Sequence, residues 1–176
     1  MAIQPKVSRV VPYYRRFIGR FPTVESLAGA DVDDVLAHWA GLGYYRRARH
    51  LHAAARKIVS EHDGLVPSDL PSLLKLPGIG RYTAGAIRSI AYNLPAPIVD
   101  GNVTRVLLRL RGKVLKQAEK SWVWDQAEAL VGAARSPAGF NEGLMELGAT
   151  ICMPSPQVPR CEECPWRQAC AAHRDQ

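Results

Sequence analysis

The sequence predicts an all-α protein with short loops, and three observations carry this reading. Apolar residues recur at three- and four-residue spacing in segment after segment, while strand-like alternation persists nowhere. Helix-start residues precede several of these segments, Thr23 two residues before Glu25 and Asp31 before Val35, Leu36 and Trp39. Gly64, Pro67, Pro95 and Pro97 punctuate the chain between them.

Taken in order, Val7, Val10, Val11, Tyr14 and Phe17 line one face of a helix that Pro12 is expected to interrupt early. Tyr45 to Glu61 carries Ala48, Leu51, Ala55 and Ile58 on one face and Arg46, Arg47, Arg49, Arg56 and Lys57 elsewhere, so a long amphipathic helix is expected there. A short helix over Leu70 to Leu76 leads into the turn Pro77-Gly78-Ile79-Gly80, and a further helix over about Arg81 to Tyr92 follows. Asp100-Gly101-Asn102 opens a helix with Val103, Val106, Leu107 and Leu110 on its apolar face. Helices over Trp122 to Ala134 and Asn141 to Thr150 complete the set, and no internal repeat is evident.

Composition bounds the function. The chain has 176 residues, 47% of them hydrophobic and 22% charged, values of a globular protein with a buried core rather than a disordered one. Lys and Arg number 23 against 16 Asp and Glu, a formal charge of +7 that favours polyanionic partners, nucleic acid first. No stretch approaches the roughly 20 apolar residues of a membrane span, and no secretory signal is visible near Met1, so an intracellular protein with no membrane partner is expected.

Cys152, Cys161, Cys164 and Cys170 all lie in the last 25 residues. Clustered cysteines in an intracellular chain point to one metal or iron–sulfur site rather than to a disulfide framework. The spacing alone suits four-thiolate zinc as well as a cluster. A helix, a turn with two glycines and a second helix over Leu70 to Tyr92 make a helix–hairpin–helix, in which Gly78 and Gly80 can take positive φ and amides at the start of the second helix can face a phosphate. An ordinary αα-turn has the same residues. Asp100 directly before a helix is a common N-cap and, equally, a carboxylate at a helix mouth available for catalysis.

The run Leu76-Pro77-Gly78-Ile79-Gly80-Arg81-Tyr82-Thr83-Ala84-Gly85-Ala86-Ile87, followed by Val99-Asp100-Gly101-Asn102-Val103, resembles the helix–hairpin–helix and Asp signature of DNA base-excision glycosylases. Phe21-Pro22-Thr23, Gly41-Leu42-Gly43-Tyr44-Tyr45, and Phe140-Asn141 with Met145-Glu146-Leu147-Gly148-Ala149 agree, and the best match is to the adenine DNA glycosylases of the MutY type, in the superfamily that includes endonuclease III.

The resemblance implies removal of adenine mispaired with guanine or 8-oxoguanine after the base is flipped from duplex DNA. Asp100 is expected to stabilise positive charge on the sugar, with Asn102 and Tyr82 helping to position it. Bifunctional relatives carry a lysine where this chain has Tyr82; a tyrosine forms no Schiff base, so base removal without strand cleavage is expected. Tyr82 also occurs in thymine-mismatch relatives. Gln4, Leu42 and Tyr44 correspond to residues that insert at the damaged pair, although Pro5 replaces a usual threonine, and Gly78, Gly80 and Arg81 to the phosphate-binding hairpin. The four cysteines correspond to the ligands of a 4Fe–4S cluster, zinc remaining the alternative; the first gap is two residues longer than the usual six.

The family's general-acid glutamate belongs just before the segment aligned with Met1, so this chain is expected to lack it together with the first helix, and a catalytically impaired DNA-binding fragment is the rival reading. The expected organisation is a remnant N-terminal segment over 1–18, a helical module with the hairpin over 19–134, and a cluster module over 135–176. The partner is expected to be double-stranded DNA, bound by a monomer, in the cytoplasm of a bacterium or the nucleus of a eukaryote.

Overall fold

The computed structural model describes residues 7–113 and 120–174, and every regular element among them is helical. None of these helices is long and apolar enough to cross a membrane. The packing divides the chain into two compact units, Met1–Ile79 and Gly80–Gln176.

The first unit holds α1 (Val7–Arg20), α2 (Val24–Ala28), α3 (Val32–Trp39), α4 (Tyr45–His62) and α5 (Leu70–Leu74). Helix α1 continues past Pro12, against expectation. A proline lacks one N–H, so the one backbone bond forfeited is that to the carbonyl four residues back, and the helix continues beyond it. Thr23 caps α2 reciprocally with Ser26, and Asp31 and Asp69 cap α3 and α5 through the amides of Asp33 and Ser72. Phe21, Leu27, Val35, Ala48 and Ala55 form the core, with Phe17, Leu36 and Trp39 packed around them. The Phe17 ring sits 5.0 Å from that of Phe21 and meets Trp39 edge-on at 5.9 Å, pairings worth about 0.5–1.5 kcal/mol each beyond their burial.

The second unit begins with α6 (Arg81–Ala86), which widens into a π turn over Ile87–Ala91. There follow α7 (Gly101–Leu110), α8 (Lys120–Gly132), α9 (Pro137–Thr150), two 3₁₀ turns at Cys161–Glu163 and Arg167–Ala169, and the short α10 (Ala171–Arg174). Helix α9 starts earlier than the apolar pattern suggested, because Ser136 accepts from the Gly139 amide and Pro137 is well suited to the first helical turn. Val103, Val106 and Leu107 of α7 pack on Val123 and Ala127 of α8 and on Leu144 and Leu147 of α9.

The Asp69 cap carries a pH signature. The Ser72 amide, then the Ser72 hydroxyl, hold the Asp69 carboxyl below its ordinary value. A carboxyl depressed in the folded state stabilises above its unfolded value and loses that contribution as pH falls through the folded one. The difference in melting temperature between the wild type and Asp69→Ala is therefore expected to be largest near pH 7 and to shrink on acidification below the ordinary carboxylate range; a difference that grew at acid pH would refute it.

Candidate active site

Asp100 lies at the mouth of α7, half-buried and in extended conformation, where α6 and α9 both support the chain that delivers it. A Cβ built on Gly85 of α6 would run into the carbonyl oxygen of Pro97, so the absence of a side chain at Gly85 permits this close packing. From α9, the Asn141 side chain, 1% exposed, bonds the same segment: its Nδ2 donates to the Ala96 carbonyl at 2.8 Å and its Oδ1 accepts from the Ile98 amide at 3.3 Å. The Ser89 hydroxyl returns to the Gly85 carbonyl at 2.8 Å, tying the π turn to α6.

The carboxylate is then held at both oxygens. Oδ1 accepts from the Val103 amide at 2.7 Å, which makes Asp100 the N-cap of α7. Oδ2 receives Nδ2 of Asn102 at 3.3 Å. The amide of Asn102 is itself oriented: Arg105, which has donors only, bonds its Oδ1 at 3.0 Å, leaving Nδ2 for the carboxylate. Arg105 also donates to the Gly148 carbonyl at 2.6 Å and to the Cys152 carbonyl at 2.9 Å. Gly148 is where α9 meets α7, since a Cβ there would lie 2.6 Å from that of Asn102. The cap and the catalytic candidate are thus one and the same residue. Tyr82 stands apart from this set: it is 44% exposed, and its hydroxyl turns to Sδ of Met145 at 3.8 Å.

The four cysteines are free thiols lining one cavity of about 190 Å³, with Arg109 and His173. Burial pushes the Cys161 thiol up, and the negative charges of Cys152, Cys170 and Cys164 push it further, with Arg109 opposing. Four cysteine sulfurs around one cavity are a donor set that fits a thiolate-held group. Among the described residues, no three His, Cys, Asp or Glu side chains are gathered as ligands of a single metal ion. Arg109 secures the first cysteine, its Nη1 donating to Cys152 Sγ at 3.3 Å and to the Met153 carbonyl at 2.8 Å.

The remaining candidates fall out as follows. In the hairpin turn only Gly78 is left-handed, at φ +78°, and a Cβ there would meet His50 at 2.7 Å. Gly80 is extended at φ −100° and is the N-cap of α6, with open space where a Cβ would stand. The Arg81 guanidinium lies 4.1 Å over the Trp124 ring and 3.9 Å from Glu128. In the first unit, Tyr44 is left-handed at φ +50° and 51% exposed, at the end of a loop whose Gly43 carbonyl accepts from the Trp39 indole at 2.9 Å. Leu42 is half-buried and lines an apolar groove of about 540 Å³ with Tyr13, Phe17 and Leu51. Gln4 lies outside the described residues. Arg105, Arg109 and Asn141 were not singled out by the sequence as site residues; the one available signal is that 102, 105 and 109 share a face of α7.

The described residues thus combine an all-helical architecture, a Gly/Pro hairpin, an Asp-capped helix and a cavity lined by four cysteines. The description "HhH-GPD superfamily base excision DNA repair protein" matches residues 1–121, and the chain belongs to that family. It is 46% identical to the adenine DNA glycosylase of Rattus norvegicus over 99% of this chain and 34% of that protein. Identity is 39% to the adenine DNA glycosylase of Buchnera aphidicola subsp. Schizaphis graminum, over 99% of this chain and 50% of the relative. The chain thus spans about a third to a half of the curated relatives it matches. A solved thermostable thymine-DNA glycosylase superposes with a TM-score of 0.87 at 27% identity, covering 98% of this chain and 80% of that one.

The α7–α9 crossing supplies the test of this geometry. Gly148→Ala is expected to destabilise the fold by about 1–3 kcal/mol, because the new methyl must displace Asn102 or part the helices. Urea unfolding measures it; an unchanged midpoint would show that the close approach carries no constraint.

Proposed function

We propose that the protein is a monofunctional DNA glycosylase of base excision repair that removes adenine mispaired with guanine or 8-oxoguanine, as its family resemblance led us to expect. The observation that carries this reading is the Asp100 carboxylate, fixed at one oxygen by the Val103 amide and at the other by Asn102. Identity of 37–46% to adenine glycosylases, against 27% to the thymine-DNA glycosylase structure, favours adenine over thymine.

In the proposed reaction the target adenosine is flipped from the duplex. The bond from C1′ to the base nitrogen breaks, its electron pair leaves on adenine, and the departing base takes up a proton. The sugar carries the positive charge that develops, and Asp100 faces it with a preorganised negative charge. Water then supplies its oxygen to C1′ and gives up a proton. Asn102 holds the carboxylate in register. With tyrosine in place of an attacking lysine, no Schiff base forms and the DNA strand stays intact.

Double-stranded DNA is the proposed partner. The amides at the start of α6, after Gly80, suit a phosphate. Arg81, stacked on Trp124, adds a cation beside them. Tyr44, exposed on its strained backbone, is the proposed wedge between bases, with Leu42 behind it and Gln4 as a further contact.

We assign the cysteine cavity to a 4Fe–4S cluster held by Cys152, Cys161, Cys164 and Cys170, which when bound supplies a cationic scaffold for the loop. A single zinc with Zn–S bonds of about 2.3 Å would draw the sulfurs to about 3.8 Å of one another, whereas among the described residues no three such ligands are gathered about one ion.

Single-turnover excision on a duplex with adenine opposite 8-oxoguanine tests the activity. Adenine release without strand cleavage is expected, slowed by about 10²–10³-fold or more in Asp100→Asn. Duplex binding with no release would identify a DNA-binding remnant, and release from thymine mismatches alone would move the protein to the thymine branch. Anaerobically purified protein is expected to carry about four irons per chain, by analogy with four-thiolate clusters, and Cys161→Ser to lose them. Stoichiometric zinc in place of iron would overturn the cluster.

A further inference from the structure

Tyr44 stands in a conformation that its own side chain disfavours. At φ +50° and ψ +47° it is left-handed, a region where the Cβ of a bulky residue crowds the backbone. Such a residue persists only where its surroundings fix both dihedral angles, and strained positions of this kind gather at functional sites. The ψ side is fixed by α4: the Tyr44 carbonyl accepts from the Arg47 amide at 2.8 Å. The φ side is fixed by one residue of α3.

That residue is Trp39, the last of its helix. Its indole Nε1–H donates to the Gly43 carbonyl at 2.9 Å, and its own carbonyl accepts from the Leu42 amide at 3.2 Å. The Gly43 carbonyl and the Tyr44 amide belong to one rigid peptide plane. Relaxing Tyr44 to negative φ requires that plane to turn over, which would swing the carbonyl away from the indole. The bond therefore opposes relaxation directly. The indole is itself held: it packs against the core of the first unit and meets the Phe17 ring at 84°. Earlier in the loop, Gly41 is left-handed at φ +95°, where a Cβ would run into the Tyr13 hydroxyl. The loop is thus seated on α1 at its start and on α3 at its end.

We propose that Trp39 is a positioning residue for recognition of the mispair: its indole N–H locks the Gly43–Tyr44 peptide so that the Tyr44 ring stands ready to enter the base stack. The inference rests on the reading of Tyr44 as the wedge. A ring that parts stacked bases must resist the stack that it opens. A loop free to relax would let the wedge retreat, whereas a peptide pinned beforehand meets the duplex with its ordering already done. A half-buried indole N–H needs some acceptor. Here the acceptor is the one carbonyl whose plane sets φ of Tyr44.

The test compares two duplexes bound by the full chain. One has 2′-fluorinated adenosine, whose bond to the base resists cleavage, opposite 8-oxoguanine, with 2-aminopurine beside it; the other is fully paired with 2-aminopurine at the same place. Fluorescence anisotropy reads affinity, and 2-aminopurine emission reads unstacking. Trp39→Phe, which keeps an aromatic ring and loses the N–H, is expected to bind the mispaired duplex about threefold to tenfold more weakly, the scale of one hydrogen bond. Its affinity for the paired duplex is expected to stay unchanged, and its emission rise on the mispaired duplex to fall. Tyr44→Ala is expected to lose about tenfold or more, the scale of one stacking contact. Adding Trp39→Phe to Tyr44→Ala is expected to cost nothing further, because Trp39 acts through Tyr44. Equal weakening on both duplexes, or a full further loss in the double variant, would show that Trp39 merely supports the fold and overturns the proposal. Wild-type behaviour of Trp39→Phe beside a weakened Tyr44→Ala also overturns it and leaves the wedge standing. A Tyr44→Ala chain that loses nothing overturns the wedge and the proposal together. Should Trp39→Phe fail to fold, benzothienylalanine at position 39, which keeps the bicyclic shape without the N–H, takes its place and is judged by the same outcomes.

Discussion

The contact on which the second unit depends is the crossing of α7 and α9 at Asn102 and Gly148. A glycine lets the two backbones approach, and Arg105 closes the gap by bonding Asn102, the Gly148 carbonyl and the Cys152 carbonyl at once. Three consequences follow from that one guanidinium. It orients the Asn102 amide and hence the donor at Asp100 Oδ2. It ties the C-terminal end of α9 to α7. It fixes the backbone from which the first cysteine of the thiolate cavity projects. Hydrogen bonds from a charged donor to carbonyls that no helix satisfies are among the stronger ones, each worth about 1.5–3 kcal/mol.

The placement of Asp100 illustrates how a cap becomes a site. Any aspartate before a helix can accept the amide of its third residue. What distinguishes this one is that the segment leading to it is held twice, by Gly85 packed on Pro97 and by the buried Asn141 clamping Ala96 and Ile98. The carboxylate therefore has little freedom to follow a substrate. That suits a proposed role of meeting charge at a fixed point, where preorganisation is what makes a carboxylate effective.

Much of the fold was legible in the sequence because helical periodicity and caps are local signals. Thr23, Asp31 and Asp100, read as helix starts, each cap the helix that follows them. Pro12 misled because a proline forfeits one bond and need not end a helix, and the start of α9 was misplaced because Ser136 and Pro137 carry no apolar signal. The site was legible only in part. The cysteines announce themselves by type and spacing, and Asp100 as a cap, whereas the roles expected of Asp100 and Asn102 came from the family resemblance. The groups that hold them do not: Arg105 and Arg109 find their partners more than forty residues away, at Gly148, Cys152 and Met153, and Asn141 reaches back as far to Ala96. Local pattern reveals which face of α7 an arginine occupies but not which carbonyl it meets. The hairpin divided along the same line. Gly78 has the positive φ expected of it, whereas Gly80 serves as a bare, extended cap.

The central claim is that Asp100 is the group presented to the sugar of an extruded adenosine. The most direct measurement is a crystal structure of the Asp100→Asn chain bound to a duplex with adenine opposite 8-oxoguanine. The account predicts the adenosine flipped out of the stack, its C1′ facing the side chain at position 100, with Asn102 and Arg105 in the bonding seen here. An adenine left stacked in the duplex, or extruded to a place remote from position 100, would contradict it.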